Sequence, residues 1–263
     1  MCRCHASPGA LSPRRQFLKR TLVSVTLPVL AACDPAGVGE LFVSGDQIDE
    51  LGAETWQRIK AETPRSRDDN ARRRVVEMTR RILAAAGERP EAWEVELFAP
   101  DQINAFAVPG NKIGVYEGMV TFASDDAELA AVIGHEIGHN QAEHARQRIA
   151  RELGTRAGLQ LVSAALQVGD IGYADQIAGL LGAGAQFGVL LPFTREQELE
   201  ADQLGLTNMA RGGYDPRAAI GLWERMGELA RSPEMLSTHP APDSRIAALE
   251  AMMPEALALY SSG

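Results

Sequence analysis

The run His135-Glu136-Ile137-Gly138-His139 places two imidazoles four residues apart, with a carboxylate beside the first. On an α-helix a four-residue step turns about 40° around the axis and rises about 6 Å, so both rings can reach one point. Two imidazoles converging in this way suit a divalent cation, zinc above all, with an open coordination position left for water. Glu136 flanks the same face and is placed to take a proton from that water. The chemistry this set would do is metal-assisted hydrolysis.

A third ligand must come from elsewhere. Ala142 and Ala145 stand where a metzincin would need Gly and His. No acidic residue falls between Leu153 and Gly169, so the glutamate that a thermolysin-type enzyme supplies about 20 residues after its second histidine is missing too. His144 follows His139 by five residues, about 140° around a continuous helix, and is read as a core residue or a neighbour of the ligands. The next acidic run is Glu196-Gln197-Glu198-Leu199-Glu200-Ala201-Asp202. There Glu198 and Asp202 share one helix face, so Glu198 could bind metal while Asp202 orients a ligand histidine. Glu196 and Glu200 lie about 200° from Glu198, and spacing alone does not choose among the three glutamates.

Around these residues the periodicity predicts a mostly helical chain. Ile48, Leu51, Trp56 and Ile59 suggest an amphipathic helix over 46–60, and Val75, Val76, Met78, Ile82 and Leu83 a second over about 69–86. Arg72, Arg73 and Arg74 read as a solvated face of that helix. Trp93 to Phe98 alternates as a strand, and 103–108 with 112–116 flank a Pro109-Gly110-Asn111 turn, as in a hairpin. Asp125, with Glu128 three residues on, caps the helix that carries His135. That helix is expected to run to about Leu153. Residues 154–192 hold eight glycines and few charges, and are read as buried helices or helices that cover the site. Further helices are expected over 195–211 and after Asp243.

Residues 1–32 read as an export signal. Pro13-Arg14-Arg15-Gln16-Phe17-Leu18-Lys19 resembles a twin-arginine translocation motif, with the Sec route as the alternative, and an apolar stretch runs from Thr21 to Ala32. Those 12 residues are too few to span a bilayer. Leu30-Ala31-Ala32-Cys33 resembles a lipobox, which would make Cys33 the lipidated first residue of the mature chain. The expected organisation is a signal over 1–32, a tether over 33–45 and one domain over 46–263. The expected location is periplasmic, with a lipid anchor in the inner or outer membrane. The 263-residue chain has net charge −9; without residues 1–32 it holds 21 basic and 35 acidic residues, net −14. Such a surface gains nothing from a polyanion, so nucleic acid is an unfavourable partner. Cys2 and Cys4 leave with the signal, so the mature monomer has no disulfide.

The HExxH run followed by Glu198-Leu199-Glu200-Ala201-Asp202 resembles the HtpX, BepA and LoiP group of zinc metallopeptidases (metallopeptidase family forty-eight). The resemblance covers about residues 46–250. It implies a gluzincin-like α+β domain, mostly helical, with a small antiparallel sheet, one zinc ion per chain and polypeptide substrates in the cell envelope. It makes His135, His139 and Glu198 the zinc ligands, Glu136 the general base and Asp202 the acid behind a ligand. It makes Lys112-Ile113-Gly114-Val115-Tyr116 an edge strand, with Lys112, Ile113 and Gly114 as substrate-pairing candidates. Ser237-Thr238-His239-Pro240 resembles the family's C-terminal His-Pro motif, with His239 a candidate site cap or oxyanion donor. Arg245 is a candidate for binding substrate or for a structural ion pair. The Gly-rich 154–192 segment also motivates a different reading, a chaperone-like envelope assembly factor with little proteolysis.

Overall fold

The computed structural model describes residues 44–152, 192–229, 234–240 and 243–262. Among them are helices α1 (Gly45–Glu62), α2 (Asp69–Ala85), the short α3 (Glu117–Phe122), α4 (Asp126–Gln141), α5 (Arg195–Arg211), α6 (Ala218–Gly227), α7 (Glu234–Thr238) and α8 (Asp243–Ser262). Strands β1 (Glu94–Phe98), β2 (Ala105–Val108) and β3 (Lys112–Tyr116) form a small sheet, so the architecture is mostly helical α+β. No helix among the described residues is long and apolar enough to cross a membrane. Cys33, residues 1–32 read as an export signal, and the Gly-rich stretch fall outside the described residues, apart from the last position of that stretch, Pro192.

Local signals start the helices. Ser44 and Gln47 form a reciprocal capping box on α1, and Thr194 and Gln197 form another on α5. The Asp68 side chain accepts from the Asn70 and Ala71 N–H groups at the start of α2. Asp125 accepts from Glu128 N–H, and Glu128 in turn accepts from Ser124 N–H, at the start of α4. Of the arginine run, Arg73 is exposed, Arg72 pairs with Asp69 one turn away and Arg74 with Asp126.

The strand order is β1-β3-β2. β2 and β3 pair antiparallel as the hairpin predicts, across a turn in which Gly110 and Asn111 take positive φ (79° and 64°). β1 adds to the other side of β3 in parallel, so the sheet is mixed. This corrects the expectations for the sheet: it is mixed rather than antiparallel, and Lys112–Tyr116 is its central strand, with the edges at β1 and β2. Both backbone edges of Lys112, Ile113 and Gly114 are already paired, so these residues cannot accept a substrate strand.

Alternation sends the two faces of the sheet into separate cores. Leu97, Ala105, Ile113 and Val115 pack with α4, α2 and the C-terminal helices. Phe98, Phe106, Val108 and Tyr116 pack with Ile48, Trp56 and Ile59 of α1. The Phe106 ring occupies the space over its cross-strand partner Gly114, where a Cβ would come within 2.3 Å of it.

A second correction concerns α4, which stops at Gln141 rather than running to Leu153. Glu143 sits in the left-handed region (φ 56°), unusual for a residue with a Cβ, and the chain resumes as a separate helical segment over 144–152. Straight-helix arithmetic therefore does not describe His144.

α4 and α5 cross at the centre of the helical layer. A Cβ on Gly134 would lie 2.8 Å from Gly205 O, one on Gly205 2.7 Å from His135 N, and one on Gly138 2.7 Å from Ala201 O. The two main chains touch directly, and this brings residues 135–139 against residues 198–202.

Candidate metal centre

His135 and His139 project from α4 with their Nε2 atoms 3.0 Å apart and their rings nearly perpendicular, at 80°. From α5, Glu198 places Oε2 at 3.5 Å from His135 Nε2 and Oε1 at 3.5 Å from His139 Nε2. His239, just after α7, sets Nδ1 at 3.0 Å from Glu198 Oε1 and 3.2 Å from His135 Nε2. A tetrahedral zinc ion with bonds of about 2.0–2.1 Å has ligand–ligand edges of roughly 3.3–3.4 Å. The observed separations fit that figure, and all four side chains are buried. The donor set, three imidazoles and a carboxylate, is the kind zinc takes.

Of the three glutamates that spacing left open, Glu198 is the one among the histidines. Glu196 is exposed, and Glu200 turns to His144, with Oε2 at 3.2 Å from His144 Nε2. Asp202 Oδ1 faces His135 Nδ1 at 3.0 Å. Arg245, fully buried, forks onto Asp202 through Nε (2.7 Å) and Nη2 (2.6 Å). Its Nη1 lies 2.7 Å from Glu198 Oε2 and donates to Pro240 O at 3.0 Å. The guanidinium also lies 4.1 Å from the Trp223 ring centre. Arg245 is thus consumed by internal carboxylates and not presented to a substrate, and of its two readings the structural ion pair is the one that fits.

The electrostatics follow from this packing. Burial alone would lower the His135 pKa, but Asp202 and Glu198 outweigh it and raise the value to about 9. Burial pushes His139 well below the imidazole range despite Glu198, aided by the charges of His135 and His239. Burial would raise Glu198, yet His239, His135 and His139 hold it well below the carboxylate range. Burial likewise opposes the lowering of Asp202, which Arg245 and His135 impose. A buried carboxylate kept ionised among imidazole nitrogens is a cation site in charge as well as shape.

Glu136 is 1% exposed, and neither of its carboxylate oxygens has a hydrogen-bond partner. Oε1 lies 3.6 Å from His239 Nε2. A buried, unpartnered carboxylate beside a cation site is costly unless water or substrate supplies a donor.

Several neighbours escaped the sequence reading. Phe193 stacks on His139 (ring centres 4.0 Å apart, 28° between planes), and the Arg148 guanidinium covers Phe193 at 3.2 Å. Burial brings Arg148 down to about 9, against the pull of Glu198 and Glu136. Trp223 packs edge-on to His135 at 5.6 Å. No spacing ties these residues to the motif, since each arrives from a different element.

The profile of peptidase family M48 matches residues 69–253. Mitochondrial metalloendopeptidase OMA1 of Schizosaccharomyces pombe is 36% identical over 186 residues, covering 69% of this chain and 53% of that protein. The beta-barrel assembly-enhancing protease of Yersinia pestis is 32% identical over 218 residues, 78% of this chain and 43% of that protein. Its Escherichia coli K12 counterpart is 27% identical over 212 residues, 75% of this chain and 42% of that protein. The matches thus span about half the length of these relatives. With a family match over most of its length, enclosing the His135, His139 and Glu198 cluster, the chain belongs to peptidase family M48, a family of zinc metallopeptidases.

Proposed function

We propose that the protein is a zinc-dependent endopeptidase that hydrolyses peptide bonds of cell-envelope proteins, misfolded or stalled ones, with Glu136 as general base. The observation that carries this reading is the pair of unpartnered, buried Glu136 oxygens next to the cation site. Zinc held by His135, His139 and Glu198 would polarise a scissile carbonyl and lower the pKa of water to ~7. Glu136 accepts the proton of the attacking water and delivers it to the leaving amine. His239, with Nδ1 at 3.2 Å from His135 Nε2 and Nε2 at 3.6 Å from Glu136 Oε1, caps the site at rest or donates to the developing oxyanion. Asp202, gripped by Arg245, orients His135. β2 borders the sheet beside α4 and has a paired strand on one side only among the described residues. It is the strand to which an extended substrate would add.

Export and lipid anchoring at Cys33, in the inner or outer membrane, are part of the same reading. Arg14-Arg15 and the Leu30-Ala31-Ala32-Cys33 run support them.

The test is Glu136→Gln. Cleavage of an unfolded protein such as casein should fall by roughly 10²–10⁴-fold, while elemental analysis still finds about one zinc per chain, as the three-ligand site predicts. Retained turnover in a zinc-loaded variant would refute Glu136 as the base.

A second reading, a chaperone-like assembly factor, has one observation in its favour: the ligand cluster is closed, with His135, Glu136, His139, Glu198 and His239 each 0–2% exposed. Full rescue of an envelope-assembly defect by Glu136→Gln would favour it; rescue by the wild type alone would favour proteolysis.

A further inference from the structure

We propose that His144, backed by Glu200, is a positioning residue for His139, fixing the tautomer and orientation in which that ring meets a divalent cation. The inference rests on the reading of His135, His139 and Glu198 as metal ligands.

The two ligand histidines turn their second nitrogens to different surroundings. His135 Nδ1 faces the carboxylate of Asp202. His139 Nδ1 instead meets another imidazole, with His144 Nδ1 at 3.0 Å. The far nitrogen of His144, Nε2, lies 3.2 Å from Glu200 Oε2.

Proton bookkeeping gives each group one role. A ring that offers Nε2 to a cation keeps its proton on Nδ1. His139 Nδ1–H then donates, so His144 Nδ1 must be bare and accept. The remaining proton of His144 sits on Nε2 and donates to the Glu200 carboxylate. The reverse order would put a proton on His139 Nε2, pointing at the cation. A neutral imidazole here therefore does for His139 what Asp202 does for His135, and ligand histidines depend on such outer partners.

Two features set this arrangement apart from a buried histidine that merely fills space. Glu200 comes from α5, two residues beyond Glu198, so one helix supplies both a ligand and the support of another ligand. The left-handed Glu143 ends α4 and lets the next helical segment bring the His144 ring, 1% exposed, back beside His139 at 5.0 Å between centres. Phe193 holds the face of His139 and His144 holds its edge.

The test is zinc affinity of the full chain, stripped of metal and titrated with zinc against a chromophoric chelator. His144→Phe keeps a ring but loses both nitrogens, and should bind zinc about 10–100-fold more weakly. His144→Asn offers an oxygen near the former Nδ1 position and should recover most of that loss. Glu200→Gln should show a smaller loss of several-fold. Wild-type affinity in His144→Phe would overturn the proposal. So would equal weakening in His144→Phe and His144→Asn with metal-free melting temperatures unchanged, since shape alone would then account for it. If His144→Phe does not fold, Glu200→Ala decides: it removes the acceptor for His144 Nε2–H from a side chain that is 61% exposed, and unchanged affinity there overturns the proposal. A wild-type chain that binds no zinc would instead remove the underlying metal-site reading.

Discussion

Where α4 crosses α5, Gly134 meets Gly205 and Gly138 meets Ala201, main chain against main chain. The sheet is held differently, with a layer of side chains on each face: Ile113 and Val115 toward α4, Phe106 and Tyr116 toward Trp56 of α1. The crossing carries a buried polar network, and at Gly134, Gly138 and Gly205 its nearest contacts are main-chain atoms. The side chains that the sheet sends into the two cores are apolar, and their contacts can adjust by rotamer. The crossing thus sets the geometry of the cation site, while the sheet sets the stability of the frame around it.

The largest effect should come from the polar network. Arg245→Leu leaves Asp202 and Glu198 buried without their cation, and should cost about 3–5 kcal/mol, measured by denaturant unfolding. A cost no larger than a surface substitution's would mean the network does not hold the crossing.

Next is pH dependence in the metal-free protein. The folded His135 pKa, about 9, exceeds its ordinary value of 6.5. Its protonation therefore contributes stability that is full below about pH 6.5 and lost as pH rises through about 9. The melting temperature of chelated protein should fall across that window by several degrees, and zinc should flatten the slope. A flat profile without zinc would separate His135 from Asp202 and Glu198.

Gly205→Ala should force the helices apart and cost about 1–3 kcal/mol, with a fall in zinc affinity measured by chelator competition. Ile113→Val, in the sheet, should cost about 0.5–1.5 kcal/mol and leave zinc affinity unchanged. If the sheet variant also weakened zinc binding, the division of labour between the two regions would fail. Smallest is Glu143→Gly, which relieves a left-handed backbone but gives up the exposed Arg146 pair, and should raise stability by at most about 1 kcal/mol in thermal melts.

How far the sequence could be read follows from the same contrast. The His135–His139 pairing was legible because the helix period alone fixes it. The caps at Asp125 and the turn at Gly110-Asn111 were legible for the same local reason. Choosing Glu198 over Glu196 and Glu200 needed the rotation of α5 about its own axis, and that is set by where Gly205 meets Gly134. The glycines stand plainly in the sequence, but each means something only with its partner from the other helix. Lys112–Tyr116 alternates as a strand whether central or edge, and only the arrival of β1 beside it settles which. His144 was misplaced in angle because a single left-handed residue breaks the periodicity on which the angle was calculated.

The glycine seam has a consequence for the ion itself. The seam fixes the separation of the two helices that carry His135, His139 and Glu198, which limits how far the gap between those side chains can widen. That gap should discriminate by ionic radius, holding small tetrahedral cations and rejecting larger ones that ask for longer bonds and more oxygen donors. In that sense Gly134, Gly138 and Gly205, none of which offers a side chain to a metal, act as the gauge against which cations are sized.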